Sequence, residues 1–269
     1  MKTNYLYNEN CLDTMAKMPD NFIDLTVTSP PYDNLRDYKG YSFDFESIAK
    51  ELYRTTKDGG VVVWIVGDAT VKGSRTGTSF KQALFFKEKG FNINDVMIWH
   101  KPNAMPDNSK TRYNNSFEYM FILSKGTPKT FKPILIDCAK YHLNWAVNAS
   151  YQRTKNGGKK LIKSVKNKQK KKHNIFDFNI GRRQHTDKIE IAFKHPATFP
   201  EQLANDHIIS WSNEGDVVYD CFAGSGTTAK MSIINKRKWI GSEMSSEYCD
   251  IIHERLKQFD NDIFLNDND

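Results

Sequence analysis

Residues 217–229 read Val-Val-Tyr-Asp-Cys-Phe-Ala-Gly-Ser-Gly-Thr-Thr-Ala: an apolar run, an acid, a glycine-rich loop and the first turn of a helix. Gly224, Gly226 and Ala229 satisfy the spacing G-x-G-x-x-G/A, in which the missing side chains let backbone approach a ligand closely. Alone that spacing is a weak signal. It gains weight from Glu243, which follows Gly226 by 17 residues at the end of the next expected strand, 238–241. A carboxylate in that place accepts hydrogen bonds from both hydroxyls of a ribose. A phosphate-binding loop would need a lysine after the second glycine, where Thr227 stands. Asp220, at the tip of the strand, would repel a pyrophosphate and suits a ligand that carries an ammonium group.

Outward from this loop the chain alternates strands and helices. Residues 24–28 (DLTVT) read as a buried strand that stops at Pro30-Pro31. A helix is expected over 44–57, ended by Asp58-Gly59-Gly60, and the continuous apolar run 61–66 is a strand buried on both faces. Then come a helix at 79–89, a strand at 91–99 and a strand at 117–123. After the rhythm lapses between about 101 and 194, a helix at 200–211, a strand at 216–219, a helix at 227–235, the strand 238–241 and a helix at 245–258 follow. Such alternation makes an α/β fold with a mostly parallel sheet covered by helices on both faces. Its ligands bind beyond the carboxyl ends of the strands. The expected divisions are 1–125, 126–193, 194–260 and an acidic, frayed tail at 261–269.

The 269 residues carry a net charge of +7, and its placement is informative. Ten basic residues, among them Arg153, Lys155, Lys159, Lys160 and Lys163, lie between Arg153 and Lys172 with no acid among them. Taking those ten from the 39 basic residues leaves 29 against 32 acidic ones, so the rest of the chain is close to neutral. A local basic segment fits a polyanion, because each phosphate contact releases condensed counterions; the plainer alternative is a solvated lysine loop. No apolar stretch approaches the length that spans a bilayer, and the first residues lack a secretory signal. A soluble, cytoplasmic protein is expected, with Cys11, Cys138, Cys221 and Cys249 as reduced thiols. None of these lies in a CxxC pair and the histidines have no ligand spacing, so no metal site is expected.

After the first strand comes Ser29-Pro30-Pro31-Tyr32. With Phe222-Ala223-Gly224-Ser225-Gly226, it resembles the Ser-Pro-Pro-Tyr and F-x-G-x-G motifs of the DNA amino-methyltransferases. Asn10-Cys11-Leu12 is similar to that family's Gly-Asp-Cys-Leu segment, and residues 195–200 (HPATFP) to its His-Pro-x-x-x-Pro segment. The match covers roughly residues 5–125 and 194–258. With the Pro-Pro loop first and the glycine loop last, the chain resembles the β arrangement, a circularly permuted Rossmann-like fold with an inserted target-recognition region.

The resemblance implies S-adenosylmethionine as cofactor, whose α-ammonium, sulfonium and adenosine also suit Asp220 and Glu243 better than NAD does. It implies cofactor contacts from Asn10, Cys11, Thr198, Phe199, Asp220, Phe222, Ala223, Gly224, Ser225, Gly226, Thr227, Thr228 and Glu243. Catalysis falls to Ser29, Pro30, Pro31 and Tyr32. The Ser29 side chain and the Pro30 carbonyl accept hydrogen bonds from an exocyclic amine, and Tyr32 stacks on a base flipped out of the duplex. Ring-carbon methylation would need a cysteine after a proline, and none of the four is so placed. Ser29 in place of Asp favours cytosine N4, with adenine N6 as the alternative; an RNA methyltransferase and a NAD-dependent dehydrogenase are the more distant readings. The expected partner is double-stranded DNA, touched by Arg36 and the basic segment. A cognate restriction endonuclease belongs to the same family expectation, and monomer and homodimer both stay open. Two departures stand out: Asn10 replaces the family's Asp, and Thr198-Phe199-Pro200 replaces Glu-Lys-Pro.

Overall fold

The computed structural model describes residues 1–31, 43–138, 150–162, 168–181 and 200–259. They fall into two compact units, residues 1–132 with 174–269, and residues 133–173.

Among the described residues, the larger unit is built on eight strands: β1 (Tyr5–Tyr7), β2 (Ile23–Thr28), β3 (Thr56–Val66), β4 (Asn92–His100), β5 (Phe117–Ser124), β6 (Ile175–Asp177), β7 (Val217–Asp220) and β8 (Lys238–Ser242). They lie in the order β1-β8-β7-β2-β3-β5-β4-β6. Neighbours pair in parallel, except that β5 runs antiparallel to β3 and β4. The central strands are buried on both faces, which is why residues 61–66 read as an unbroken apolar run.

Among the described residues, six helices cover the sheet: α1 (Cys11–Ala16), α2 (Phe45–Thr55), α3 (Thr78–Glu88), α4 (Glu201–Trp211), α5 (Thr227–Ile234) and α6 (Ser246–Leu256). On one face Met15, Ile48, Leu52, Ala83 and Phe86 from α1, α2 and α3 pack on Val62, Trp64, Phe121 and Tyr219. On the other, Ala229, Ile252 and Leu256 from α5 and α6 pack on Leu6 and Trp239, and His207 of α4 reaches the sulfur of Met120 in β5. The alternating face of a strand decides which helix layer each side chain meets. The sheet is therefore α/β, mostly parallel and sandwiched, as the sequence pattern requires.

Some boundaries differ from those expectations. The helix expected to run to residue 57 stops at Thr55, and Asp58-Gly59-Gly60 is not a turn but part of β3. Gly59 adopts φ 79°, and the pairing of β2 with β3 shifts register between Ile23 and Leu25. The two glycines are a bulge held to Lys125, just past β5, by hydrogen bonds Gly59 N to Lys125 O (2.6 Å) and Lys125 N to Gly60 O (3.1 Å). Strands β1 and β6, three residues each, are too short to announce themselves by periodicity.

Asp24, near the start of β2, fastens its neighbours. Its carboxylate takes Lys57 Nζ from β3 at 2.7 Å on both oxygens and the Val217 N–H of β7 at 2.9 Å. The carboxylate thus sets the relative register of three strands at their amino ends.

In the smaller unit, two antiparallel ribbons are described. Leu135–Asp137 pairs with Gln169–Lys171, and Ser150–Arg153 with Lys159–Ile162. The second ribbon closes through Thr154, whose N–H donates to the Gly158 carbonyl at 2.7 Å. Arg153, Lys155, Lys159, Lys160, Lys168, Lys170 and Lys171 are all exposed.

The Asp24 contacts predict that D24A lowers unfolding free energy by about 1–3 kcal/mol, as expected for hydrogen bonds to a charged group. Urea denaturation measures it; a change within about 0.5 kcal/mol, typical of a surface site, would contradict the strand-fastening role.

Candidate functional site

In an open parallel sheet, the crevice for a ligand opens where the strand order reverses. Here that point lies between β7 and β2. From β7 the chain crosses through α5 to β8 on one side, and from β2 it crosses through α2 to β3 on the other. The glycine loop leaves the carboxyl end of β7 and Ser29-Pro30-Pro31 leaves the carboxyl end of β2, so two segments nearly 200 residues apart begin side by side.

One hydrogen bond joins them. Thr28 Oγ1, the last side chain of β2, donates to Asp220 Oδ1, the last of β7, at 2.7 Å. The Phe222 N–H donates to the same oxygen at 3.1 Å. Thr228, in the first turn of α5, donates to the Val27 carbonyl at 3.2 Å, so the helix after the loop is also tied to β2. Ser29 and Pro31 are half-buried and Pro30 is buried.

Asp220 is the most telling group. It is buried, and its Oδ2 has no hydrogen-bond partner. An unpaired buried acceptor costs about 1–3 kcal/mol, more when charged. Burial pushes its carboxyl above the usual carboxylate range, against the opposing pull of Thr28, Thr228 and the Phe222 N–H. A carboxylate held in that condition can accept a hydrogen bond from a cationic or N–H-bearing group.

Glu243 sits just past β8. Its Oε2 accepts from the Gly224 N–H and its Oε1 from the Ser245 N–H, both at 2.9 Å. Each oxygen keeps a further lone pair for a donor such as a ribose hydroxyl. Burial raises this carboxyl too, countered by the Ser245 and Gly224 N–H groups and reinforced by the nearby charge of Asp220. β1 is the strand next to β8, and Glu243 N donates to Tyr7 O at 3.0 Å. Asn8 Nδ2 donates to the Glu243 carbonyl at 2.9 Å. Asn10 and Cys11 therefore begin beside Glu243. Asn10 Oδ1 caps α1 by accepting from Leu12 N at 2.9 Å, and the Cys11 thiol is buried in the core, pushed up to about 12 by desolvation.

Within the glycine loop, Gly226 adopts φ 79°, and a Cβ there would meet Ile252 Cγ2 of α6 at 3.0 Å. The Ala223 N–H donates to Ser242 O at 2.9 Å, fastening the loop to β8. Phe222 packs with Phe43, ring centroids 5.7 Å apart.

Beneath the loop lies a feature that the motif reading missed. Arg255 of α6, buried, donates through Nη1 to the Ser225 carbonyl, to Ser225 Oγ at 3.1 Å and to Thr227 Oγ1 at 3.3 Å. Its Nη2 donates to Glu201 Oε1 at 3.0 Å, which also takes buried Lys230 Nζ at 2.8 Å. Glu201 opens α4, so one carboxylate links α4, α5 and α6 to the floor of the loop. The Ser225 and Thr227 hydroxyls are thus turned towards Arg255. The signal was in the sequence: Arg255 lies on the same helical face as Ile251 and Ile252, where a charge is out of place unless paired.

Of the residues named from sequence, Ser29, Pro30, Pro31, Asn10, Cys11, Asp220 to Thr228 and Glu243 share the carboxyl edge of the sheet. Tyr32, Arg36, Lys163, Thr198 and Phe199 lie outside the described residues. Arg153, Lys155, Lys159 and Lys160 belong to the smaller unit.

The chain has relatives among known proteins. A family model described as DNA methylase, of the N6/N4 methyltransferase kind, matches residues 23–254. The chain is similar to the orphan methyltransferase M.BamHII of Bacillus amyloliquefaciens, 56% identical over 245 residues, 89% of this chain and 91% of that protein. Among solved structures, the cytosine-N4-specific PvuII DNA methyltransferase shares its fold with a TM-score of 0.69 at 22% identity, over 100% of this chain and 89% of its own. The M1.HpyAVI–SAM complex follows with a TM-score of 0.61 at 20% identity, over 94% and 98%.

Two outcomes test the site's construction. Removing one partner of the buried charge cluster by R255M is expected to cost about 3–5 kcal/mol of stability, whereas K17M, which breaks the exposed Lys17–Glu9 pair, costs about 0–1 kcal/mol. Equal effects in urea melts would contradict the reading of Arg255. The second concerns pH. A carboxyl whose folded pKa is raised binds more protons folded than unfolded, so its contribution to stability falls as pH rises from about 4, the unfolded value, through the raised one. The stability of the wild type relative to D220N is therefore expected to decline over that window; a pH-independent difference would contradict burial as the cause.

Proposed function

The chain belongs to the DNA methylase family, and on that premise we propose that it methylates the exocyclic N4 amino group of cytosine in duplex DNA, using S-adenosylmethionine. The observation that carries this reading is the Thr28–Asp220 hydrogen bond at the switch point, which sets Ser29-Pro30-Pro31 beside the glycine loop.

The residues present fit the cofactor. The unpaired Oδ2 of buried Asp220 suits an ammonium group, Glu243 suits ribose hydroxyls, and the glycine loop between them, with Gly224 and Gly226 at positive φ, offers backbone to the ligand. Asn10 and Cys11, beginning beside Glu243, are assigned to the adenine end, and Phe222 and Ala223 to the wall of the cradle. When bound, S-adenosylmethionine supplies an electrophilic methyl group on a sulfonium.

The amino nitrogen of cytosine is a poor nucleophile because its lone pair is delocalised into the ring. The Ser29 hydroxyl and the Pro30 carbonyl accept hydrogen bonds from its two N–H groups, which draws the nitrogen towards tetrahedral geometry and frees the lone pair. Pro30 and Pro31 fix φ along the loop, so that the accepting carbonyl is positioned before the base arrives. Fixed acceptors of this kind do not have to reorganise during the reaction. The base reaches them only when swung out of the duplex, and Tyr32 is assigned to stack on it. The exposed cations Arg153, Lys155, Lys159 and Lys160 of the smaller unit, with Lys163 and Arg36, are assigned to DNA phosphates. Ser29 in place of an acid favours cytosine over adenine. The kinship is with modification enzymes of type II systems, an orphan among them, and a cytoplasmic location follows from that role.

Incubation with radiolabelled S-adenosylmethionine and unmethylated duplex DNA, followed by digestion to nucleosides, is expected to yield labelled N4-methylcytosine. N6-methyladenine would replace the cytosine assignment by the adenine one, and label in RNA with none in DNA would overturn the reading. In the same assay S29A is expected to lower kcat roughly 10²-fold with cofactor affinity unchanged, and D220A to weaken cofactor binding by about tenfold or more, roughly 1.4 kcal/mol.

A further inference from the structure

Resting on the DNA-methylating reading above, we infer that the exposed ribbon after β3 is a DNA contact, with Lys72 at its tip bound to a backbone phosphate beside the target base. Thr70 pairs with Arg75 and Val71 with Ser74, leaving Lys72-Gly73 as a two-residue turn. Both central residues have positive φ, 47° and 82°, the mark of a type I′ hairpin turn. The favoured residue at the first of these positions is Asn, whose short polar side chain tolerates left-handed backbone, and lysine there is strained.

Packing does not explain the lysine. Residues 70–75 are all exposed, and a Cβ added at Gly73 would meet nothing within 4 Å. The base of the ribbon is nevertheless firmly held. Arg75 Nη1 donates to Asp68 O at 2.9 Å, Thr76 N to Ala69 O at 3.1 Å, and the Asp68 carboxylate takes the N–H and hydroxyl of Ser79, both at 2.8 Å, at the start of α3. A rigid stem thus carries a strained cation away from the body.

Its place on the fold identifies the partner. β3 lies next to β2 and parallel to it, so the ribbon projects from the same edge as Ser29-Pro30-Pro31. A duplex that delivers a flipped base to that edge lays its backbone against whatever projects there. From Ala69 to Lys87 the sequence has four cations, Lys72, Arg75, Lys81 and Lys87, and no acid. Lys236, the other lysine with positive φ among the described residues, shows the contrast. It sits at the end of α5 on the opposite edge, its N–H bonded to Ile233 O and its ammonium 3.8 Å from Glu214.

The test compares wild type, K72N and K236N in full-length protein, measuring affinity for duplex DNA between low and moderate salt, together with melting temperature and cofactor affinity. K72N creates the preferred Asn-Gly turn, so its melting temperature is expected to equal or exceed that of the wild type. Its DNA affinity is expected to fall several-fold at low salt, with the slope of log affinity against log salt shallower by about 1, the value for one lost phosphate contact. K236N, the same change of charge, is expected to leave the slope unaltered. A K72N slope equal to wild type, or an equal loss in K236N, would overturn the ribbon contact while leaving the enzyme's function intact. A wild type that neither binds nor methylates duplex DNA would instead overturn the function on which the inference rests.

Discussion

The hydrogen bond from Thr28 to Asp220 is the constraint on which the site depends. Two parallel strands can lie side by side without their loops being in any fixed relation. A 2.7 Å contact between their last side chains, buried from water, removes that freedom. It also leaves the second oxygen of Asp220 unpaired in a desolvated place. The fold accepts that cost because the carboxylate is surrounded on three sides: by Thr28, by the Phe222 N–H and by the first turn of α5. Stability is given up at one atom, and a ligand-ready acceptor is gained.

The second constraint lies below. A glycine loop is flexible by composition, and a cradle that flexes does not orient a ligand. Arg255 holds the Ser225 carbonyl from beneath, Glu201 holds Arg255, and Lys230 balances Glu201. The cluster is fully buried and multiply hydrogen-bonded, the condition under which charges can sit in a protein interior. With Glu243 gripping Gly224 from the β8 side, the loop is fixed from two directions. The larger unit therefore works as a rigid edge. The described residues of the smaller unit form narrow ribbons that carry exposed lysines.

Much of this was legible in the sequence, for physical reasons. Residues 61–66 and 217–219 are apolar throughout because they are covered on both faces. Gly226 announces the loop because its backbone angle and the packing of Ile252 admit no side chain. Asp220 and Glu243 were recognisable because acids at strand ends have few structural reasons to be there. Other features were hidden. Asp58-Gly59-Gly60 looks like a helix terminator, and only the pairing of β2 with β3 makes it a bulge. β1 and β6 are too short for any period to appear. Arg255, Glu201 and Lys230 come together only when three helices pack on one face. Lys72 is an ordinary surface lysine until its backbone angle is known.

In the proposed reaction the Pro-Pro turn and the glycine loop form one reaction centre. A crystal structure of the protein with sinefungin, whose amine stands where the transferable methyl would be, and a duplex bearing the target site measures this directly. That amine is expected within about 3–3.5 Å of the cytosine amino nitrogen, the separation of a near-attack geometry, with the nitrogen donating hydrogen bonds to Ser29 Oγ and the Pro30 carbonyl. An analogue seated in the cradle but separated from those two groups by a wall of protein, with the base bound elsewhere, would contradict it.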